Sequence, residues 1–319
     1  MRTTSFILAV FLLVWPSAVK AQNCCAPAVP QLGVLGETVA LPHTLEVGFH
    51  YEYLRSYGLY DGSEEIDDPA DTKTIWKRAT LAVSYGLLER LSVSAIMPYT
   101  WKEKTKNLID GTSSKNSSAG FGDLTVLFRY SLLPRSYVTF RELTLGLGVK
   151  LPTGSTGKRN YGVLLSEELQ PGTGTWDFNA SAAFYQGYET VDFIVSGTYL
   201  LTTTYENTER EYKYKFGNQF SYLVTANFHP HQRLDLTASL TGIVRGKDKV
   251  DGEPVCATGR RQLWFSPGVQ FAIIPNYLRL QFFYELPLYQ RFNGVQLGSD
   301  YNLRISLAGL LPLKSSGDD

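Results

Sequence analysis

From residue 41 onward, apolar and polar side chains alternate one for one over stretches far longer than an ordinary strand. In Leu234-Asp-Leu-Thr-Ala-Ser-Leu-Thr241, Leu234, Leu236, Ala238 and Leu240 fall on one side, while Asp235, Thr237, Ser239 and Thr241 fall on the other. Leu91, Val93, Ala95 and Met97 repeat the pattern against Ser92 and Ser94, and Leu278, Leu280, Phe282 and Tyr284 do so against Arg279, Gln281 and Glu285. Successive side chains of a strand point to opposite faces, so each stretch forms a ribbon with one apolar and one polar face. Helical periodicity is absent. The chain is all-β.

Twelve segments carry the pattern: 42–54, 74–86, 90–101, 121–133, 138–152, 174–186, 189–202, 214–228, 233–245, 261–273, 277–289 and 299–310. Their connections alternate in length. Short ones lie at Gly86, Pro134, Gly187, His229 and Ile274; long polar ones occupy 55–73, 102–119, 153–172, 203–213, 246–260 and 290–298. In an up-and-down meander, all the long connections therefore fall at one end.

Alternation alone does not say whether the apolar face meets a dry core or lipid. Three further features point to lipid. Ordinary globular strands run about five or six residues, and these are more than twice as long. Ten residues of strand tilted at roughly 45° climb about 23 Å, close to the apolar band of an outer-membrane barrel. Short turns at one end and long loops at the other are how such barrels are threaded. Aromatics also collect at both strand ends: Tyr85, Tyr137, Tyr188, Phe228 and Tyr277 near the short turns, and Tyr99, Trp101, Phe121, Trp176, Tyr199, Tyr214 and Tyr289 near the long loops. Rings that are apolar on one side and wet on the other belong at a lipid–water boundary. With 20 Tyr and 17 Phe, the chain has enough for two girdles. The expected fold is a transmembrane, up-and-down antiparallel β-barrel of about twelve strands in the bacterial outer membrane. A soluble sandwich is the rival, with Leu234, Leu236 and Leu240 packed in a dry centre.

The N-terminus fits export. Arg2 precedes the apolar run Phe6–Trp15, Pro16 breaks it, and Val19-Lys20-Ala21 offers small residues for cleavage before Gln22. Ten apolar residues are too few to span a bilayer. The expected organisation is a signal peptide over 1–21, a periplasmic segment over 22–41, the barrel over 42–310 and a tail over 311–319. Cys24 and Cys25 are adjacent in a Pro/Ala-rich stretch and Cys256 lies far away in a polar loop, so no disulfide framework is expected. The two adjacent thiols read either as a plain tail or as a vicinal pair. Lys+Arg and Asp+Glu each number 30, so the net charge is zero and nucleic acid is not an expected partner.

Inward positions carry Glu46, His50, Glu52, Arg78, Asp123, Arg129, Glu142, Lys150, Asp177, Asp192, Asp235, Arg245, Arg279, Glu285 and Arg304. Buried charge must be paired or wet, and the balance of signs predicts ion pairs across the barrel. Two readings stay open, a narrow polar passage for small solutes or a closed barrel whose ion pairs only stabilise it. Glu46, Glu52, Arg78, Asp123, Arg129, Lys150, Asp177, Asp192, Asp235, Arg279, Glu285 and Arg304 are the candidate lumen residues that would set selectivity by charge. Prolines 98, 152 and 287 fall near the long-loop ends of strands, where a missing donor ends or bends pairing. Loop 55–73 is acidic and reads as solvated.

Catalytic groupings are missing. Only four His occur, no strand carries a His-x-Ser pair, and His229-Pro-His231 reads as turn. Pro152-Thr-Gly-Ser-Thr-Gly-Lys158 lacks the first Gly and the following Ser/Thr of a phosphate-binding loop. No enzyme activity, metal or cofactor is expected.

Three motifs occur in order: Gly120-Phe-Gly-Asp-Leu-Thr-Val-Leu-Phe-Arg-Tyr130, Gly148-Val-Lys-Leu-Pro-Thr-Gly154 and Gln170-Pro-Gly-Thr-Gly-Thr-Trp-Asp177. Over 120–177 the chain resembles the outer-membrane transporters related to the meta-pathway phenol-degradation proteins. The resemblance implies an outer-membrane barrel that passes small compounds, aromatic ones among them. Two departures stand out. The chain ends Leu310-Leu-Pro-Leu-Lys-Ser-Ser-Gly-Asp-Asp319 without a terminal aromatic, and strand 214–228 alternates imperfectly, with Asn218 on the outer face. The expected protein is a monomeric barrel in contact with outer-membrane lipid and a small-molecule solute. The alternative is a non-conducting scaffold for a periplasmic partner.

Overall fold

The structure, a computed structural model, describes residues 38–107, 112–134, 140–207 and 209–313. The signal-peptide and Cys24/Cys25 expectations lie outside them, as do residues 314–319 of the expected tail, while the last strand runs two residues into that tail, to Pro312. Twelve staves form the wall: β1 (Thr44–Asp61), β2 (Lys73–Leu88), β3 (Leu91–Asn107), β4 (Thr125–Leu133), β5 (Arg141–Lys150), β6 (Asp177–Gly187), β7 (Val191–Leu201), β8 (Gln219–His231), β9 (Leu234–Arg245), β10 (Arg260–Ile274), β11 (Leu278–Phe292) and β12 (Val295–Pro312). Each pairs antiparallel with its neighbours in sequence, and β1 closes on β12 from Thr44 opposite Pro312 to Asp61 opposite Val295. Closure satisfies the backbone of every stave and leaves no edge in lipid.

The two faces are inverted relative to a soluble protein. On β9, Leu236 and Leu240 are 46% and 39% exposed, whereas Thr237, Ser239 and Thr241 are 6%, 6% and 4% exposed. The same holds elsewhere: Phe49, Leu81, Leu147, Phe193, Val224 and Ile305 lie bare, while Thr80, Ser92, Ser94, Thr144, Ser196 and Ser306 are buried. An apolar exterior around a polar interior is stable only in hydrocarbon. At the long-loop end, the Tyr99 ring lies 4.6 Å from Trp101 and 5.0 Å from Phe121, forming part of the outer girdle. At the short-turn end, Tyr188 and Tyr277 are exposed. The polar inward faces and apolar outward faces are those of an outer-membrane β-barrel.

Several connections differ from the sequence reading because strands rise past the lipid. The predicted long loop at 290–298 is a tight turn at Asn293-Gly294, since β11 and β12 run on to Phe292 and from Val295; Gly294 takes φ +73° there. Likewise 102–119 is largely paired, with Ser113–Phe121 lying against the upper part of β3. The irregular strand at 214–228 is two elements. Tyr212–Lys215 belongs to a small loop sheet with Thr204–Asn207, and β8 starts at Gln219. Asn218 lies just before β8; its side-chain oxygen accepts from the Thr202 N–H at 3.1 Å, and its amide donates to the Tyr199 hydroxyl at 3.1 Å.

Two of the prolines mark breaks. Pro98 lies beside an interruption in β3's pairing with the segment that follows it: Ile96 opposes Thr125 and Tyr99 opposes Phe121, so Gly122-Asp123-Leu124 bulge opposite two residues. Pro287 sits at the register shift between β10 and β11.

Candidate functional site

The three sequence motifs meet at that bulge. Asp123 turns inward, where one carboxylate oxygen accepts the Gly154 N–H at 2.9 Å and the other accepts the Thr173 N–H and hydroxyl, both at 2.8 Å. Lys150 stands 3.6 Å from Asp123, pairs closely with Asp177 and donates to the Thr173 hydroxyl at 2.8 Å. Asp177 in turn accepts from the Thr175 hydroxyl at 2.8 Å and the Thr203 N–H at 3.0 Å. The motif glycines explain themselves here. A Cβ on Gly154 would lie 2.6 Å from the Gly172 Cα and 2.7 Å from the Gly122 carbonyl carbon, so three backbones touch where no side chain fits.

The other charged candidates line the inner wall in pairs. Arg78 on β2 donates to Glu52 on β1 at 2.6 Å. Arg304 on β12 pairs with Glu285 on β11 at 3.1 Å and stacks 4.6 Å from the Phe283 ring. Arg129 donates to Ser94 at 3.1 Å, and Glu46 sits half-buried opposite Ser84. At the short-turn mouth, His229 bridges Asp192 and Asp235 at 2.9 and 2.7 Å. Arg279 lies there too, 3.9 Å from Asp235 and half exposed. Among the described residues, the Glu52–Arg78, Lys150–Asp177 and Glu285–Arg304 pairs run along the wall rather than across the bore. Each of the Glu52, Lys150 and Arg304 pairs joins neighbouring staves, because cross-strand neighbours are about 5 Å apart whereas the bore is far wider. His229, read as a plain turn residue, instead braces the mouth.

At the same mouth, the Val39 N–H donates to Glu142 at 3.0 Å and Ala40 is buried, so the residues just before β1 lie against the inner wall.

At the long-loop end the segment 151–176 folds inward as a cap. Its single helical turn, Glu167–Leu169, is tied to β3: the Lys102 ammonium donates to the carbonyls of Glu168 and Gln170 at 2.9 and 2.7 Å, and Lys104 pairs with Glu168 at 3.2 Å. Gln170 staples the loop to itself through Lys158 and Leu165. Glu167 also accepts from Asn207 at 3.1 Å and from the Tyr212 hydroxyl. Burial and that hydrogen bond raise the Tyr212 pKa above its ordinary value, so the phenol stays a donor. Asp248 holds the adjoining loops, accepting from Arg245, Tyr214 and the Gly217 N–H at 2.6–2.7 Å.

Beneath the cap lies a cavity of about 190 Å³ within the bore. Its wall combines paired charges (Arg78, Lys150, Asp177) with Trp76, Ile96 and Phe216. The sequence reading missed the inward aromatics. Trp76, Trp264 and Phe283 are buried, although Trp76 stands two residues before Arg78, and strand parity alone places both on one face. Among the described residues, no cluster of three or more His, Cys, Asp or Glu could hold a metal.

A search of curated proteins finds no match. Among solved structures, the chain is similar to an outer membrane channel from Pseudomonas putida, with 16% identity, TM-score 0.69, and alignment over 86% of this chain and 98% of that one. At that identity the likeness is one of fold. The CymD monoaromatic hydrocarbon channel aligns at 9% identity and TM-score 0.44 over 85% of this chain and 89% of that one. The Pseudomonas putida toluene transporter TodX aligns at 9% and 0.42 over 87% and 94%. A family model described as "Putative MetA-pathway of phenol degradation" matches residues 75–298, more than two thirds of the sequence, and the chain belongs to that family.

Proposed function

We propose that this protein is a passive outer-membrane channel for small organic solutes. The observation that carries the reading is the arrangement of charge. The buried pairs Glu52–Arg78, Lys150–Asp177 and Glu285–Arg304 run along the wall between adjacent staves, so they neutralise the interior without crossing it. A barrel of twelve staves is wider than the eight-stranded kind that side chains fill, and here the bore keeps a cavity under the cap. The Pseudomonas putida outer membrane channel shares the fold, which is consistent with this use. Asp123, Lys150 and Asp177 hold the cap root and, with Arg78 and Glu52, give the passage its charge pattern.

Reconstitution into planar bilayers tests the proposal. Discrete conductance steps are expected, with ion selectivity that changes in Arg78→Gln. Absence of both conductance and solute-dependent liposome swelling would leave the scaffold reading instead.

A further inference from the structure

The cap-side cavity has one corner where hydrogen-bond donors are left over. On the inner face, Trp76 of β2 lies opposite Lys102 of β3, and Thr100 sits two residues along β3. All three line the cavity. Trp76 is 4% exposed and Thr100 9%, and neither the indole N–H nor the threonine hydroxyl has a hydrogen-bond partner among the described residues. Lys102 spends two of its three N–H groups on the Glu168 and Gln170 carbonyls and lies 4.6 Å above the Trp76 ring. No described carboxylate is within ion-pair distance of it. Every carboxylate that lines the cavity is engaged elsewhere: Asp123 and Asp177 by Lys150, Glu167 by Arg210, Glu168 by Lys104. The other cations of the wall have carboxylate partners of their own.

A buried donor without an acceptor carries its full desolvation cost, and an indole can only donate. The complement is therefore an acceptor, and beside an ammonium without a counter-ion it is an anionic one. Apolar surface in the same cavity is supplied by Ile96, Pro98, Leu200 and Phe216. Cavities of about 150 Å³ accept benzene, so 190 Å³ is room for one ring and its head group.

We infer that this corner is a binding subsite for a small organic carboxylate, its head group on Lys102, Trp76 and Thr100 and its apolar body against Ile96 and Phe216. The inference deepens the channel reading and rests on it only for the route by which the acid arrives. A neutral amide of the same shape can accept one of these hydrogen bonds but brings no charge to the ammonium, so the site discriminates by charge rather than by size.

Calorimetric titration of the full-length, detergent-solubilised barrel tests it, using benzoate, its neutral analogue benzamide, and inorganic phosphate. Saturable benzoate binding is expected, at least tenfold tighter than benzamide. Trp76→Phe, which keeps the ring and removes the N–H, and Thr100→Val should each weaken benzoate several-fold, and weaken benzamide less. Lys102→Met should weaken it most. Because Lys102 also anchors the cap, the first two variants carry the test, after heat-modifiable gel mobility shows that they fold. Benzoate binding no better than benzamide, or unchanged in both variants, overturns the subsite. Phosphate competing as strongly as benzoate overturns the role of the apolar body. Benzoate binding without bilayer conductance removes the channel and leaves the subsite; conductance without a benzoate preference does the reverse.

Discussion

Replacing Asp123 by Asn exchanges one oxygen for an NH2 group, and the structure gives the consequence. The carboxylate side chain is 3% exposed and accepts three protein hydrogen bonds, one on the first oxygen and two on the second. Asparagine has one acceptor oxygen, so its NH2 must face either the Gly154 N–H or the two Thr173 donors. The better orientation keeps Thr173 and opposes the Gly154 N–H with another donor. Hydrogen bonds to charged groups are worth about 1.5–3 kcal/mol, and a buried donor left over costs a similar amount. Relaxation is blocked, because Gly154 already touches the Gly172 and Gly122 backbones. Lys150 keeps Asp177 and adds little to the loss. Asp123→Asn is therefore expected to destabilise the barrel by about 3 kcal/mol. Urea unfolding in lipid vesicles, followed by tryptophan fluorescence, measures this. Asp235→Asn, at the open mouth with an 18% exposed side chain, serves as the control and should cost under about 1 kcal/mol. Equal losses in the two variants would refute the reasoning.

Gly154→Ala should destabilise by a comparable amount, on the order of 2–3 kcal/mol, in the same assay, whereas Gly157→Ala, with open space around it, should be neutral. Leu145→Arg places a charge on the exposed outer face near the middle of β5 and should cost about 2–3 kcal/mol in lipid; a neutral result would contradict the orientation of the faces. Cys256 is exposed in the loop between β9 and β10. In a chain carrying Cys24→Ser and Cys25→Ser, it should react with an impermeant maleimide on intact cells, while a cysteine introduced at Tyr188 should not. The reverse labelling would invert the barrel in the membrane.

Alternation wrote the wall into the sequence. Strand parity depends on nothing but successive residues, so the twelve staves and their greasy and wet faces were legible at Leu234–Thr241 as clearly as in the folded β9. Segment length and the aromatic ends then chose lipid over a dry core. The same parity places Trp76, Trp264 and Phe283 on the inner face, where they are buried.

What tertiary structure alone decided lies in the loops and the pairing. Whether Arg78 answers Glu52 next door or a carboxylate across the bore depends on barrel radius, which no local pattern encodes. The inward fold of 151–176 depends on Lys102, Ser118 and Tyr212, residues some 45–70 positions away from the groups they hold. Asp123 looked like one lumen charge among a dozen. Only when β4, β5 and the start of β6 are side by side does its carboxylate become the point where three glycine-bearing strand ends are joined, because hydrogen bonds between distant segments exist only after the wall has closed.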